Sequence, residues 1–241
     1  MRKGFTLVEI LITLGIIGIV AAITIPSLIN KCRVTIMKNQ FKKAVATANL
    51  AIRQAKAEAD IDTFATYCTA YNGIYMNTAE CTNALDRVLA VPTRRHATNY
   101  EVKTYTGDQR VTISKIGGIA GTCILSPTVR SDGTSICYTI NEFRLNFVID
   151  INGYTKPNRL GHDIFYFYVN TNDALTTPKP INYTKEEIEK ANNNDLNKNR
   201  MGYPCSLTSN QGANGIGCGY YALQDKCPNN TGKSYFDCLP K

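Results

Sequence analysis

Apolar positions fall along this chain in three successive patterns, and each predicts a different element. The first is an almost unbroken apolar run from Phe5 to Ile29 holding one ionisable residue, Glu9. Its 25 residues, rising about 1.5 Å each as a helix, suffice to cross a hydrocarbon core about 30 Å thick. Pro26 lies inside the run and, lacking an amide hydrogen, predicts a lost backbone bond and a bend. The second pattern follows without a loop. Val34, Met37, Phe41, Val45, Ala48, Ile52, Ala55 and Ala59 recur at three- and four-residue steps, while Lys38, Lys42, Lys43, Arg53 and Lys56 fall elsewhere on the wheel. One helix from Phe5 to about Asp60 is expected, its first half in lipid and its second half packed on a domain.

The third pattern has a period of two. Phe64 to His96 reads as a connecting region containing a short helix over Thr82–Leu89. Strand signals follow at Val111–Ile116, Ile119–Leu125, Ser135–Ile140, Arg144–Ile151 and Ile164–Val169. In Arg144–Ile151, Leu145, Phe147, Ile149 and Ile151 alternate with Asn146, Val148 and Asp150, which predicts one buried face. Ser131-Asp132-Gly133-Thr134 and Asn152-Gly153 supply turns. The pattern predicts an α+β fold: a long N-terminal helix, transmembrane then amphipathic, packed against an antiparallel sheet. Beyond Thr171 the text changes. Thr184-Lys-Glu-Glu187 is a capping box opening a short helix to about Ala191, Asn192–Arg200 is a polar loop, and a loop-rich, cysteine-rich tail follows.

Charge adds little. The 241 residues hold 27 Lys and Arg against 19 Asp and Glu, a formal +8. No compact basic block accompanies that surplus. Arg94, Arg95, Lys103 and Arg110, with Tyr100 and Tyr105 interleaved, read as a solvated face, so no nucleic-acid partner is expected. Cysteine usage says more. Cys32 stands alone beside the apolar run; the other eight are Cys68, Cys81, Cys123, Cys137, Cys205, Cys218, Cys227 and Cys238. An even set beyond an export segment predicts disulfides formed in an oxidising compartment. Zinc would need ligand spacing that is absent: there is no CxxC pair and the histidines are only His96 and His162. Near-neighbour pairing predicts Cys68 with Cys81, Cys123 with Cys137, Cys205 with Cys218 and Cys227 with Cys238.

The start of the chain carries more specific information. Arg2 and Lys3 precede Gly4-Phe5-Thr6-Leu7-Val8-Glu9, and Pro26 follows towards the end of the apolar run. A carboxylate inside such a run costs roughly 2.5–3.5 kcal/mol at mid-bilayer and is read as functional. This segment resembles the amino terminus of type IV pilins and of type II secretion pseudopilins, over about the first 30 residues. The resemblance implies cleavage by prepilin peptidase between Gly4 and Phe5, N-methylation of Phe5, and pairing of Glu9 with the terminal amine of an adjacent subunit. An ordinary secretory signal cut after Val20-Ala21-Ala22 fits less well, because the apolar run contains Glu9 and continues past Ala22. A plain signal anchor gives no reason for Gly4-Phe5 or Glu9. Acylation at Cys32 is opposed by Lys31 before it.

On this resemblance the chain divides into a leader (1–4), a transmembrane and polymerisation helix (5–29), an amphipathic extension (30–62) and a globular pilin-like domain with a disulfide-rich tail (63–241). The implied function is that of a structural subunit of a type IV pilus or type II secretion pseudopilus, with no enzymatic activity and no small-molecule substrate. The implied partners are other pilins, in a homo- or hetero-polymer, the prepilin peptidase, and an inner-membrane assembly platform with its ATPase. The implied location is the inner membrane as a single-pass protein, then a periplasmic or cell-surface filament. A minor or tip subunit with an adhesive or DNA-binding role, and a membrane-anchored enzyme, stay open as alternatives. No nucleophile motif supports the last, and no catalytic residue is assigned. No cofactor or metal is expected, with one reservation. Asp150-Ile-Asn152-Gly153 resembles the opening of a calcium loop, with Asn158 and Asp163 as further oxygen donors. The terminal glutamate of such a loop is missing and Pro157 breaks its register, so a long turn capped by Asp and Asn is the plainer reading.

Overall fold

The computed structural model describes residues 6–69, 78–89, 95–96, 101–111, 128–140, 144–180, 203–229 and 231–240. Its backbone is organised around α1 (Leu7–Glu58), a 52-residue helix that starts at Thr6 and runs on through Pro26. It ends where Asp60 adopts a positive φ of 51°. Two short helices follow, α2 (Phe64–Tyr67) and α3 (Thr78–Leu89). The helix expected over Thr82–Leu89 therefore begins a turn earlier: Cys81, Ala84 and Leu85 are buried against α1, and that packing holds the preceding turn helical too.

Among the described residues the sheet has six strands in sequence order, every neighbouring pair antiparallel: β1 (Arg95–His96), β2 (Thr128–Val129), β3 (Ser135–Ile140), β4 (Leu145–Asp150), β5 (Ile164–Val169) and β6 (Leu175–Thr176). Its centre is a three-stranded register in which Phe147 stands opposite Tyr138 on one side and Phe167 on the other. Asp132 and Gly133 make the β2–β3 turn: Gly133 sits at φ 83° and Asp132 accepts from the Thr134 amide at 3.1 Å. Of the strand expected at Val111–Ile116, only Val111 lies among the described residues. It is buried in a loop, donating to the Val102 carbonyl. Ile119–Leu125, the helix expected from Thr184 to Ala191 and the loop Asn192–Arg200 lie outside the described residues.

Phe41, Ala44, Ala48, Ala51, Ile52 and Ala55 form the buried face of α1. Four of the six are alanines, so the backbone of the helix can approach the sheet closely while Phe41 and Ile52 fill what remains. Leu145, Phe147, Ile149, Phe165, Phe167 and Val169 face them from the sheet. The Phe41 ring packs edge-on to Phe165 at 4.6 Å between centroids and to Phe236 at 5.7 Å, an aromatic arrangement that adds to burial alone.

The outer face of the sheet departs from expectation. Every residue of β4 is buried, including Asn146 and Asp150. The reason is a third layer, in which Val102, Val111, Leu160 and Ile216 pack with Val148, Ile164 and Tyr166. Period-two alternation does not distinguish a face open to water from one covered by loops. Buried polar groups there find partners, as when the Tyr166 hydroxyl donates to Asn146 Oδ1 at 2.6 Å. The tail is likewise more ordered than a loop-rich reading implied: Cys218–Gln224 forms a helix, α4, and Tyr235–Cys238 a 3-10 turn.

Candidate functional site

At its start, α1 is closed by its own side chains. Thr6 has extended backbone angles and accepts the Glu9 amide on Oγ1 at 3.3 Å, while Glu9 Oε2 accepts the Thr6 amide at 2.8 Å and the Thr6 hydroxyl at 2.9 Å. This is a reciprocal capping box, satisfying amides that no helical carbonyl can reach. Both Thr6 contacts to the carboxylate go to Oε2. The role of Thr6 was readable in principle, since Thr6-x-x-Glu9 has the spacing recognised further on at Thr184. Its proximity to the leader hid it.

From Leu7 to Ile29 the helix stands clear of the other described residues. Ile17 is 63% exposed and Ile23 71%, and the most apolar 18-residue stretch has none of its residues buried. Two of its threonine hydroxyls are satisfied within the helix, Thr13 donating to the Ile10 carbonyl and Thr24 to that of Val20, both at 2.9 Å. That is the arrangement an apolar medium demands, because no water is available to take an orphaned hydroxyl. Gly4 and Phe5, the residues flanking the expected cleavage, lie outside the described residues.

Residues 1–25 match the family model described as the prokaryotic N-terminal methylation motif. The chain carries the prepilin-type signature of type IV pilins and pseudopilins. The motif supports a pilin-like or pseudopilin-like substrate of prepilin peptidase, and the apolar helix fits membrane anchoring before assembly. The signature points to a structural, polymerising type of protein. No curated protein and no solved structure matches the chain significantly.

Behind the prepilin-type helix, crosslinks hold the head. Cys68 joins Cys81 with Cα atoms 5.7 Å apart, tying α2 to α3; Cys205 joins Cys218 at 4.9 Å, and Cys227 joins Cys238 at 6.0 Å. Cys137 is also disulfide-bonded, and its expected partner Cys123 lies outside the described residues. Cys32 is free and exposed on α1.

The loop from Asp150 to Asp163 is built by turn chemistry. The buried carboxylate of Asp163 accepts the amides of Asn158 at 2.8 Å and Arg159 at 2.7 Å, and Asp150 accepts that of Asn152 at 3.1 Å. The Oδ1 atoms of Asn152 and Asn158 are buried without a hydrogen-bond partner. Among the described residues no group of three or more His, Cys, Asp or Glu side chains converges. His162, beside this loop, places Nε2 3.1 Å from the Tyr105 carbonyl. Burial, reinforced by the nearby Arg159 and Arg33 charges, lowers its pKa to about 4 and keeps it neutral. Burial raises Asp163 to about 6, against the pull of the amides it accepts.

Proposed function

We propose that this chain is a structural subunit of a type IV pilus or a type II secretion pseudopilus, polymerising through the helix that begins at Phe5. The methylation motif on residues 1–25, leading into a helix that its own head leaves bare, carries this reading. Residues 1–4 are the leader, 5–29 the transmembrane and polymerisation helix, 30–62 its amphipathic extension, and 63–241 the head. Peptidase cleavage after Gly4 frees the amine of Phe5, which is then methylated. It also removes Arg2 and Lys3, leaving 25 basic against 19 acidic side chains.

Glu9 then has two uses. In the single subunit it caps its own helix through Oε2; in the filament Oε1 accepts the amine of a neighbouring Phe5. An ion pair formed there compensates a carboxylate that lipid or a packed helical bundle would penalise. Pro26 provides the bend that lets the helix follow its neighbours. The assembly platform and its ATPase lift the subunit out of the inner membrane into the filament.

Intact mass and amino-terminal sequencing of the protein recovered from its native cells test this reading. The expected species starts at N-methylated Phe5; a start at Ile23 would mean ordinary secretion and end the filament proposal. In the same preparation, Glu9→Val should be processed normally yet be depleted from sheared filaments. Normal incorporation of that variant would remove Glu9 from the mechanism.

A further inference from the structure

A cleft of about 410 Å³ opens where α1 leaves the apolar run, between α1, the loop ending at His162 and the C-terminal segment. Its walls pair apolar side chains, Met37 and Leu239 among them, with the cations Arg33 and Arg159 and a single acid, Asp237. Its depth follows from helix geometry. Arg33 lies four residues beyond Ile29, about 6 Å of rise, and the headgroup layer extends about 5–8 Å beyond the hydrocarbon on each side. The cleft therefore sits at headgroup height while α1 is in the membrane.

Arg33 is exposed, and among the described residues no carboxylate lies within 4.0 Å of its guanidinium. The guanidinium of Arg159 packs over Gly107, 2.7 Å from where a Cβ would stand there. Arg33 and Arg159 both line this cleft, with His162 among its other walls. This outer flank, with Lys31 beside it, stays basic after cleavage has removed Arg2 and Lys3.

We propose that this cleft binds the phosphodiester headgroup of one anionic phospholipid of the outer leaflet while the subunit waits in the membrane. Arg33 and Arg159, which both line the cleft, take the phosphate. The lipid would steady the head against the bilayer, and extraction would release it. This rests on α1 lying in the membrane as proposed above. It needs neither cleavage after Gly4 nor Glu9, so its failure is scored apart from that of the filament reading.

The test is native mass spectrometry of the full-length chain in detergent, titrated with phosphatidylglycerol or phosphatidylcholine. One phosphatidylglycerol should be retained at about tenfold lower concentration than phosphatidylcholine, and Arg33→Gln should cut its retention about fivefold, as the loss of one interfacial cation predicts. Arg53→Gln, an exposed arginine higher on the same helix, should change nothing, and Asp237→Asn should raise retention about twofold by removing a repelling charge. Equal retention of the two lipids would overturn the proposal. So would an equal loss with Lys31→Gln, which would mark diffuse charge in place of a site. Displacement by millimolar inorganic phosphate would assign the cleft to the free ion, and an Arg33-dependent dimer in lipid-free detergent would assign it to a second copy; either overturns the lipid reading.

Discussion

The two halves of α1 are one continuous helix, yet they answer to different surroundings. Ile17 in the first half is 63% exposed, whereas Ile52 in the second is fully buried. The first half is apolar on all sides, so no single face could be matched by one protein partner. The second half confines its apolar residues to a stripe, makes that stripe mostly alanine, and places lysines on its flanks. Lys38 meets Asp225, Lys43 meets Asp132 at 3.3 Å and Lys56 meets Asp173 at 3.0 Å. The same secondary structure thus carries two programmes: uniform apolarity hands the helix to lipid or to its copies, and a narrow stripe fixes it to one head. Helical propensity says nothing about which; the distribution of polar residues around the axis decides it.

The sharpest way to break this comparison is to delete the same atoms from each half. Ile52→Ala leaves a cavity between α1 and the sheet and should destabilise the head by about 2–4 kcal/mol. Ile17→Ala removes the same atoms from an uncovered surface and should leave head unfolding unchanged. Thermal unfolding of the two full-length variants in detergent, followed by near-ultraviolet circular dichroism, checks both at once. A loss with Ile17→Ala near that of Ile52→Ala would mean the first half packs on the head after all.

Acid sharpens the comparison from the head's side, because His162 and Asp163 pull in opposite directions. His162 has a pKa of about 4 in the fold against 6.5 for the free group, so the native state binds fewer protons across that window and loses stability as pH falls through it. Asp163 is at about 6 against 3.8, so the native state binds more protons between those values and gains stability on acidification. The two nearly cancel, and the wild-type head should change little between pH 7 and 4. His162→Gln keeps a donor for the Tyr105 carbonyl but removes the first effect. Its stability relative to wild type should rise by about 3 kcal/mol over that range. Parallel pH profiles for the two proteins would show that His162 does not resist protonation in the fold.

What was legible in the sequence follows the same division. The long helix, its change of character after Ile29 and the strands β3, β4 and β5 could be read from period alone, because each buries a face large enough to leave a pattern. The near-neighbour spacing of Cys68 and Cys81, of Cys205 and Cys218, and of Cys227 and Cys238 is that of the pairs the structure contains. The third layer was not legible, because Val102, Leu160 and Ile216 come from loops with no period to betray them. For the same reason α4 escaped notice: its seven residues contain two tyrosines and a glycine and open without a capping side chain. The Arg33–Arg159 cleft joins residues 126 apart in sequence, a proximity that only the fold creates. The turn at Asp150–Asp163 was legible in kind, since Asp and Asn that bond nearby amides leave a local signature.

The smallest effect expected concerns what the flanking lysines do. Lys43 is 61% exposed on its side chain and meets Asp132 at 3.3 Å, a surface pair of the kind that contributes about 0–1 kcal/mol. Lys43→Ala should therefore move the unfolding temperature by no more than about 4 °C. Asp132→Ala should cost about 1 kcal/mol more, because Asp132 also accepts the amide and hydroxyl of Thr134 and so shapes the β2–β3 turn. The order of these two variants separates two views of how the helix is seated. If the alanine stripe holds the head and the ion pairs only favour its rotation about the axis, the aspartate matters for its turn and the lysine hardly at all. Equal losses from Lys43→Ala and Ile52→Ala would mean that charge, and not close packing, distinguishes the covered half of α1 from the bare one.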